Sequence, residues 1–277
     1  MNDNFDVETW KKEKNQERKE VYTLINNEAL QIFKSPERLK QYLDTQARFD
    51  MYSVNNAILV SKQKPDAIQL KSRQEWRKQG AYINKGVQGI SILEPSNRYV
   101  KADGTSSVSF NVKKMIDVTD TNVNFKPINK VYDNKLILKA LFNKSPFDIE
   151  STEDMANDIN AYWDKNDEVL YIRKEGIKFP DGIHEIVKEM AKASLETDDS
   201  PELKEFKCKC TSYLVCKNFN LDVSSFNFDN IPSELSNLTS KGVKQELGEI
   251  RNGMTKIKER ADKFFETMSK NRKRDER

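Results

Sequence analysis

The sequence predicts an α+β fold, in which N-terminal helices lead into a small antiparallel sheet and a mostly helical second part ends in a long C-terminal helix. Three observations support this class. Apolar residues recur at three- and four-residue spacing up to residue 49. Apolar and polar residues alternate in segments between residues 81 and 118, and a heptad pattern runs from residue 247 to residue 268.

The N-terminal helices are predicted from apolar spacing and from capping residues. Apolar residues at helical spacing predict a first helix over 7–33. Ser35 suits the N-cap of a second helix, with Pro36 at its first position, and this helix is expected to run to residue 49. A third helix is expected after Ser53 and must end before Pro65.

The sheet is predicted from turn residues and alternation. Trp76 is expected in a short helix that stops at Gly80, and residues 81–95 read as a strand, a glycine-containing turn and a second strand. Residues 101–105 have turn chemistry, and residues 107–118 alternate well enough for a further strand.

The second half is predicted to be mostly helical. The polar segment 119–130 is interpreted as a linker. The elements expected after it are helices near 132–143 and 152–162, a strand at 168–173, a helix over 183–194 and a helix near 202–219.

The last helix carries seven apolar residues at alternating spacings of three and four. They are Leu247, Ile250, Met254, Ile257, Ala261, Phe264 and Met268. Such a seam can form a homo-oligomer through this helix, or it can pack on its own domain, and the pattern leaves both alternatives open. The basic end of the chain is expected to be solvated.

The charge of the chain is unevenly distributed. Residues 1–130 hold 22 Lys and Arg against 16 Asp and Glu, a balance of +6. Residues 131–238 hold 13 against 21, or −8, and residues 239–277 hold 12 against 7, or +5. The basic segments could face an anion such as nucleic acid and the acidic one would repel it, although charge alone favours the simpler interpretation that all three are solvated surfaces.

The location of the protein is predicted from what the composition lacks. The chain of 277 residues is long enough for two modest domains. No apolar run approaches the roughly 20 residues that a membrane helix needs, and the N-terminus lacks the apolar core of a signal peptide. Three cysteines are an odd number in a chain of this length. The sequence therefore predicts a cytoplasmic protein without disulfides and without a membrane partner.

Residues 48–95 mix cations with aromatic residues, a combination that suits single-stranded DNA. Cations neutralise phosphates without reading sequence, and aromatic faces stack on unpaired bases. The alternative is that Trp76 and Phe49 belong to the hydrophobic core.

The same region carries a resemblance to a known family. The motifs are F-x-x-YS-x-N-N at 49–56, Q-K-P-x-A at 63–67, a Trp at 76 and K-G-x-x-G-I-x-I-L-x-P at 85–95. In this order they resemble the N-terminal domain of ArdC/LtrC-type antirestriction proteins, which belong to plasmids, conjugative elements and phages. The resemblance implies a domain that binds single-stranded DNA without strong sequence preference.

The candidate DNA-binding residues follow from this resemblance and from the basic and aromatic composition. They are Arg48, Tyr52, Asn55, Asn56, Gln63, Lys64, Trp76, Lys78, Lys85 and Lys113.

In the same family the second domain is a zincin-like metallopeptidase, whose metal helix contains H-E-x-x-H. The segment 183–192, IHEIVKEMAK, resembles this helix, with His184 and Glu185 in place. Lys188, however, stands where the second histidine should be. Zinc needs both histidines because positions i and i+4 share one helix face, and a lysine ammonium would repel the ion.

The family's third ligand lies on a downstream helix that resembles residues 205–222. There Lys207 and Lys209 occupy acidic positions of the family pattern. The resemblance therefore implies a degenerate site without metal or other cofactor, and no enzymatic activity. Lys188 or Lys209 could instead pair with Glu185. Cys208 and Cys210 point in different directions on a helix, so they are not expected to form another zinc site with His184.

The resulting prediction divides the chain into a DNA-binding domain at 1–127, a degenerate zincin-like domain at 128–238, and an amphipathic C-terminal helix with a basic tail at 239–277. The predicted function is a single-stranded-DNA-binding accessory protein of a mobile genetic element, with a role in antirestriction and with a host-defence or conjugation protein as a second partner. The alternatives are a protein-binding inhibitor of a host defence enzyme and an active zinc metallopeptidase.

Overall fold

The computed structural model describes residues 6–126, 132–156, 158–195 and 197–275 and shows the α+β fold that the sequence predicts. The helices of the described residues are α1 (Val7–Ile32), α2 (Pro36–Arg48), α3 (Val54–Gln63), α4 (Arg73–Lys78), α5 (Asn134–Phe142), α6 (Asp181–Ser194), α7 (Pro201–Asn218), α8 (Ser233–Ser236) and α9 (Ser240–Asp275). The strands are β1 (Leu70–Ser72), β2 (Ile90–Val100), β3 (Ser106–Asp117), β4 (Asp148–Thr152), β5 (Ala161–Asp164) and β6 (Val169–Arg173).

The three predicted N-terminal helices are confirmed, together with their caps. The side chain of Ser35 accepts a hydrogen bond from the backbone N–H of Arg38, and that of Ser53 accepts one from Asn56. These bonds satisfy donors that a helix start leaves without partners. In α1 the buried stripe is Val21, Ile25, Ala29 and Ile32, whereas Leu30 is exposed.

The first sheet is antiparallel, in the order β1-β3-β2. The turn at 101–105 and the strand that follows it are confirmed. The first strand expected within 81–95 is wrong, because Ile83 makes only an isolated bridge to Thr121 and β2 starts at Ile90. Strand β1 was not predicted, since three half-buried residues show no period.

The second sheet is mixed, in the order β4-β6-β5, with β4 parallel and β5 antiparallel to β6. The predicted helix over 152–162 is wrong, because β4 ends at Thr152 and β5 begins at Ala161. The connection is held by Arg173, whose guanidinium donates to the carbonyl oxygens of Ala156 and Ile159. The other predicted helices and the strand of this half are confirmed.

One continuous hydrophobic core joins α1, α2 and α3 with α5, α6, α7 and α9. It therefore includes residues from all three of the predicted segments, 1–127, 128–238 and 239–277, and the division at these boundaries stays a prediction. The expected linker 119–130 is only partly described, since 127–131 lie outside the described residues. Its described part packs on the N-terminal half of the fold, where Phe125 contacts a small core around Trp76.

The apolar seam of α9 is buried from Leu247 to Ala261 and belongs to this core. This part of the seam therefore packs within the chain, against α7 and α5 among other helices. An oligomer through α9 stays a prediction. None of the helices in the described ranges combines the length and the apolar character that crossing a membrane requires.

Candidate functional site

Two predicted DNA-binding amides fasten α3 to β2. The Asn56 side chain accepts a hydrogen bond from the Leu93 N–H at 2.8 Å and donates to the Leu93 carbonyl at 2.9 Å. Gln63 makes the same pair of bonds with the backbone of Ser91. Asn56 is buried, so its prediction as a DNA contact is wrong, because both ends of its amide serve the fold. For Gln63 the DNA contact stays a prediction.

Trp76 is a core residue, and its prediction as a base-stacking residue is wrong. Only 1% of it is exposed. Its indole Nε1–H donates to the Ile116 carbonyl at 2.8 Å, as a buried indole requires. Lys71 covers the ring, with its ammonium 4.6 Å from the ring centroid. No face of this ring is available to a base.

Three of the predicted cations bind groups of the chain itself. The Lys64 ammonium lies 2.6 Å from a carboxylate oxygen of Asp120, and the Lys113 ammonium lies 2.6 Å from one of Glu94. The Arg48 guanidinium donates to the carbonyl oxygens of a loop, those of Pro65 and Ala67. Phosphate contacts by these three residues stay predictions, and they would compete with internal partners.

Tyr52 and Asn55 lie at the start of α3 and are half-buried. The Tyr52 ring stacks on Phe49, with centroids 5.2 Å apart and planes at 27°. Burial raises the pKa of the Tyr52 hydroxyl, and the charge of Glu75 raises it further. One face of this ring is thus already occupied within the protein.

The remaining two cations, Lys78 and Lys85, are exposed and flank an aromatic residue that was not among the candidates. Tyr82 is 76% exposed. Its backbone is fixed, because its N–H donates to the Asn122 side chain at 2.8 Å and its carbonyl accepts from the Asn122 N–H at 3.0 Å. A third bond, from the Ala81 N–H to the Trp76 carbonyl, ties this loop to the end of α4.

The loop therefore holds an exposed ring on a fixed backbone, close in sequence to exposed cations. We call residues 77–85 the Tyr82 loop. The exposed cations in it are Arg77, Lys78 and Lys85. Tyr82 was missed because the sequence predicts a strand at this position, whereas the structure has only an isolated bridge at Ile83.

His184 lies in the first turns of α6 and is buried, with 8% exposed. Its ring packs on Phe226, with centroids 4.5 Å apart. Nδ1 lies 3.4 Å from the Ser225 hydroxyl, while Nε2 is buried without a hydrogen-bond partner in the described ranges. Burial lowers the pKa of His184, and this outweighs the opposing effects of Asp222 and Asp181, so the ring is neutral at pH 7.

Glu185, which follows His184, is held by Asn160. One carboxylate oxygen accepts hydrogen bonds from the backbone N–H at 2.9 Å and from the side-chain amide at 2.8 Å. The hypothesis that Lys188 or Lys209 pairs with Glu185 is wrong, because these two lysines have other partners. Glu185 instead connects α6 to the chain just before β5.

Lys188 and Lys192 share Glu205 of α7. Their ammonium groups each lie 2.6 Å from one of its carboxylate oxygens. Lys192 also binds the buried Glu189 at 2.7 Å. Burial raises the pKa of Glu205, but the two lysine hydrogen bonds outweigh it, so its pKa lies below the ordinary value. We call these four residues the α6–α7 charge network.

Lys209 lies one turn after Glu205 on α7 and is half-buried. Its ammonium is 5.6 Å from the centroid of the Phe228 ring, an arrangement of the cation–π type. The segment 222–232, which carries Phe226 and Phe228, thus covers both His184 and Lys209 with aromatic rings.

Lys207 of α7 points toward α9 and is fully buried. It binds three carboxylates, those of Asp199 at 2.6 Å, Glu246 at 2.8 Å and Glu249. Burial lowers the pKa of Lys207, but the three carboxylates outweigh it and raise the pKa above its ordinary value. We call this group the Lys207 cluster. It joins α7 to α9 and to the chain before α7.

The residues around His184 do not fit a zincin-type metal. In the described ranges, His184 belongs to no group of three nearby metal-ligating side chains. The orphaned Nε2 is one suitable donor, but Lys188 and Lys209 are cations at the positions of the second and third ligands. The three cysteines are buried free thiols, and burial raises the pKa of Cys208 and Cys216 to about 12.

The fold is similar to that of a solved structure. The Mn(II)-bound crystal structure of the antirestriction protein ArdC from the R388 plasmid aligns with a TM-score of 0.50 at 12% identity, over 76% of this chain and 85% of that one. The metal-free structure of the same protein aligns with a TM-score of 0.49 at 10% identity, over 76% and 86%. The chain thus has an ArdC-like fold.

The sequence itself is similar to an uncharacterized protein of Bacillus anthracis, pXO2-81, with 21% identity over 92% of this chain. The chain spans about half, 52%, of the length of that relative. No protein-family model matches the sequence.

Proposed function

We propose that this chain, which has the fold of an antirestriction protein, is a single-stranded-DNA-binding accessory protein of a mobile genetic element. It would hold incoming single-stranded DNA without sequence preference and act in antirestriction. The structural neighbour is a plasmid antirestriction protein, which is consistent with this proposal.

The observation that carries the proposal is the Tyr82 loop. A base can stack on a ring that is 76% exposed, and a fixed backbone reduces the entropy lost when the ring is ordered. Arg77, Lys78 and Lys85 add positive charge for the phosphates. Such a site reads stacking and charge, and therefore no particular sequence.

We further propose that the metallopeptidase-like half is inactive and serves as a scaffold. Without a metal, a water molecule near Glu185 would keep a pKa close to its value in bulk water, so it would be a poor nucleophile at pH 7. One carboxylate oxygen of Glu185 also accepts two hydrogen bonds from Asn160. Lys188 does not replace the positive charge of the metal beside Glu185, since it is paired with Glu205.

The proposal is tested with Tyr82→Ala and fluorescent oligonucleotides. The full chain should bind single-stranded DNA more tightly than duplex DNA, and its affinity should fall steeply with salt. Loss of the stacking ring should cost about 1–3 kcal/mol of single-strand binding. Fluorescence anisotropy across a salt series measures both quantities.

The matched control is Tyr82→Phe, which keeps the ring and should bind like the unchanged protein. Because Tyr82 is exposed, both variants should keep the same melting temperature. A chain that ignores oligonucleotides at low ionic strength, or binds them equally well without the ring, would contradict the proposal.

An active zinc metallopeptidase remains the alternative that metal analysis decides. Protein purified without a histidine tag should contain no stoichiometric zinc or manganese after dialysis against either ion. One metal ion per chain, together with hydrolysis of an unfolded protein substrate, would overturn the proposed inactivity.

A further inference from the structure

The outer face of the second sheet has no role in the proposed DNA site. The sheet β4-β6-β5 packs its inner face, including Leu170 and Ile172, into the core beside α6. Side chains alternate along a strand, so the residues between these point to the opposite face. We call that opposite face the outer sheet face.

The centre of the outer sheet face is a pair of stacked tyrosines. Tyr162 of β5 and Tyr171 of β6 are partners in the strand register. Their ring centroids lie 5.1 Å apart with planes at 26°. Tyr162 is 39% exposed and Tyr171 is half-buried, so the pair forms an aromatic surface that solvent reaches.

Carboxylates surround this pair. Glu150 of β4 is the register partner of Tyr171 on its other side, and Asp148 and Asp164 flank Val169 one step along the same face. Asp167 lies in the turn between β5 and β6. In the described parts of the chain, none of these four carboxylates forms an ion pair.

Of the cations nearest in sequence, Lys165 lies next to Asp164 in the turn between β5 and β6, whereas Arg173 and Lys174 have partners elsewhere. The Arg173 guanidinium donates to backbone carbonyls of the segment before β5, and Lys174 pairs with Glu153 at 2.7 Å. Desolvation, followed by the charges of Asp167, Glu150 and Asp164, raises the pKa of the Tyr171 hydroxyl. The face is therefore negative and aromatic, and it lies in the segment 131–238 that carries a balance of −8.

We propose that the outer sheet face is a docking surface for an arginine-rich polypeptide segment of another protein. A guanidinium group is planar, stacks on aromatic rings and forms paired hydrogen bonds with carboxylates. Tyr162 and Tyr171 offer the rings, and Glu150 and Asp167 offer the carboxylates. Nucleic acid and anionic lipid are repelled by the same charges. The inference does not depend on DNA binding by the Tyr82 loop.

The test uses the full chain and a fluorescent nine-residue peptide in which arginine alternates with serine. The double variant Glu150→Lys with Asp167→Lys should lower the affinity by about tenfold or more, because it turns attraction into repulsion. Tyr162→Ala should lower it by about two- to fivefold. A peptide with lysine in place of arginine should bind more weakly, since an ammonium does not stack.

Glu234→Lys is the control for a single charge reversal, which is half of the charge change in the double variant. Glu234 is an exposed carboxylate of the same acidic segment, and it lies on α8, whose Ser236 contacts Lys34 of the N-terminal part. This control should change the affinity by less than about twofold. Melting temperatures that match the unchanged chain establish that all variants are folded.

Three results would overturn the proposal. The peptide could fail to bind at low ionic strength, or Glu234→Lys could weaken binding as much as the double variant, which would indicate attraction by net charge alone. Sedimentation could also show self-association that the double variant abolishes. The occupant would then be a second copy of this chain.

Discussion

The Tyr82 loop and the helix pair α6–α7 are both rich in lysine, yet they use it in opposite ways. In the Tyr82 loop, Lys78 and Lys85 project into solvent. In the helix pair, Lys188 and Lys207 bind carboxylates of neighbouring helices and are half-buried or fully buried. A cation that already has a partner stabilises the fold, and a cation without one is available to a phosphate. The charge of a segment therefore does not tell whether it binds nucleic acid.

Trp76→Ala should have the largest effect and would sharpen the contrast between buried and exposed aromatic residues at the front. Removing a buried Trp side chain should cost about 3–5 kcal/mol in the free energy of unfolding. Trp76→Phe should cost less, because it keeps part of the apolar contact and loses the bond to Ile116. Urea unfolding measures both. Weaker DNA binding by Trp76→Ala at unchanged stability would show that Trp76 contacts DNA and is not only a core residue.

Lys207→Met tests the fully buried lysine of the helix pair α6–α7. The substitution removes the cation of the Lys207 cluster and leaves Asp199, Glu246 and Glu249 facing one another with no counter-charge. We expect a loss of about 3 kcal/mol, the lower end of the cost of breaking a buried pair, since the three carboxylates are partly exposed.

The control for Lys207 is Lys244→Met on α9. Lys244 binds the neutral side chain of Asn26 at 2.7 Å, and burial lowers its pKa. Its loss leaves no carboxylate without a partner, so it should cost less than about 1 kcal/mol. Equal losses in the two variants, measured by urea unfolding, would show that the carboxylates around Lys207 are irrelevant to stability.

The comparison also shows which features could be predicted from the sequence. Helix starts at Ser35 and Ser53 were predictable because a cap is a local interaction over three residues. Strands β4 and β5 were not, because their stability depends on pairing with β6 and on the bonds from Arg173. Local polarity in that segment favoured a helix, and tertiary contacts prevailed.

The candidate site residues show the same difference between local signals, which the sequence contains, and long-range contacts, which it does not. The cationic positions Lys188 and Lys209 near His184 follow from the residue types alone. Their partners do not, because Glu205 is 17 residues from Lys188 and depends on how two helices align. Likewise, the six residues of α4 show too little periodicity to separate a buried Trp76 from an exposed one.

Lys188→Ala should have the smallest effect, and its pH dependence tests whether Lys188 acts through its carboxylate partners, Glu205 at 2.6 Å and Glu189 at 3.7 Å. Lys192 still holds Glu205 in this variant, so the loss at pH 7 should be about 0.5–1 kcal/mol. In the folded chain the lysines lower the pKa of Glu205 below its ordinary 4.5. The stability from this shift is present above about that pH, and it is lost as the pH falls through the folded pKa.

The stability difference between the unchanged chain and Lys188→Ala should therefore be largest at pH 7 and vanish at pH values acidic enough to protonate Glu205 in both proteins. It should also shrink in high salt, because the pair is half-exposed. Lys174→Ala breaks an exposed pair with Glu153 and should change nothing measurable at either pH. Thermal unfolding at pH 7 and pH 3 gives the comparison. A difference that persists at pH 3 would mean that Lys188 contributes through packing of its aliphatic stem and not through Glu205.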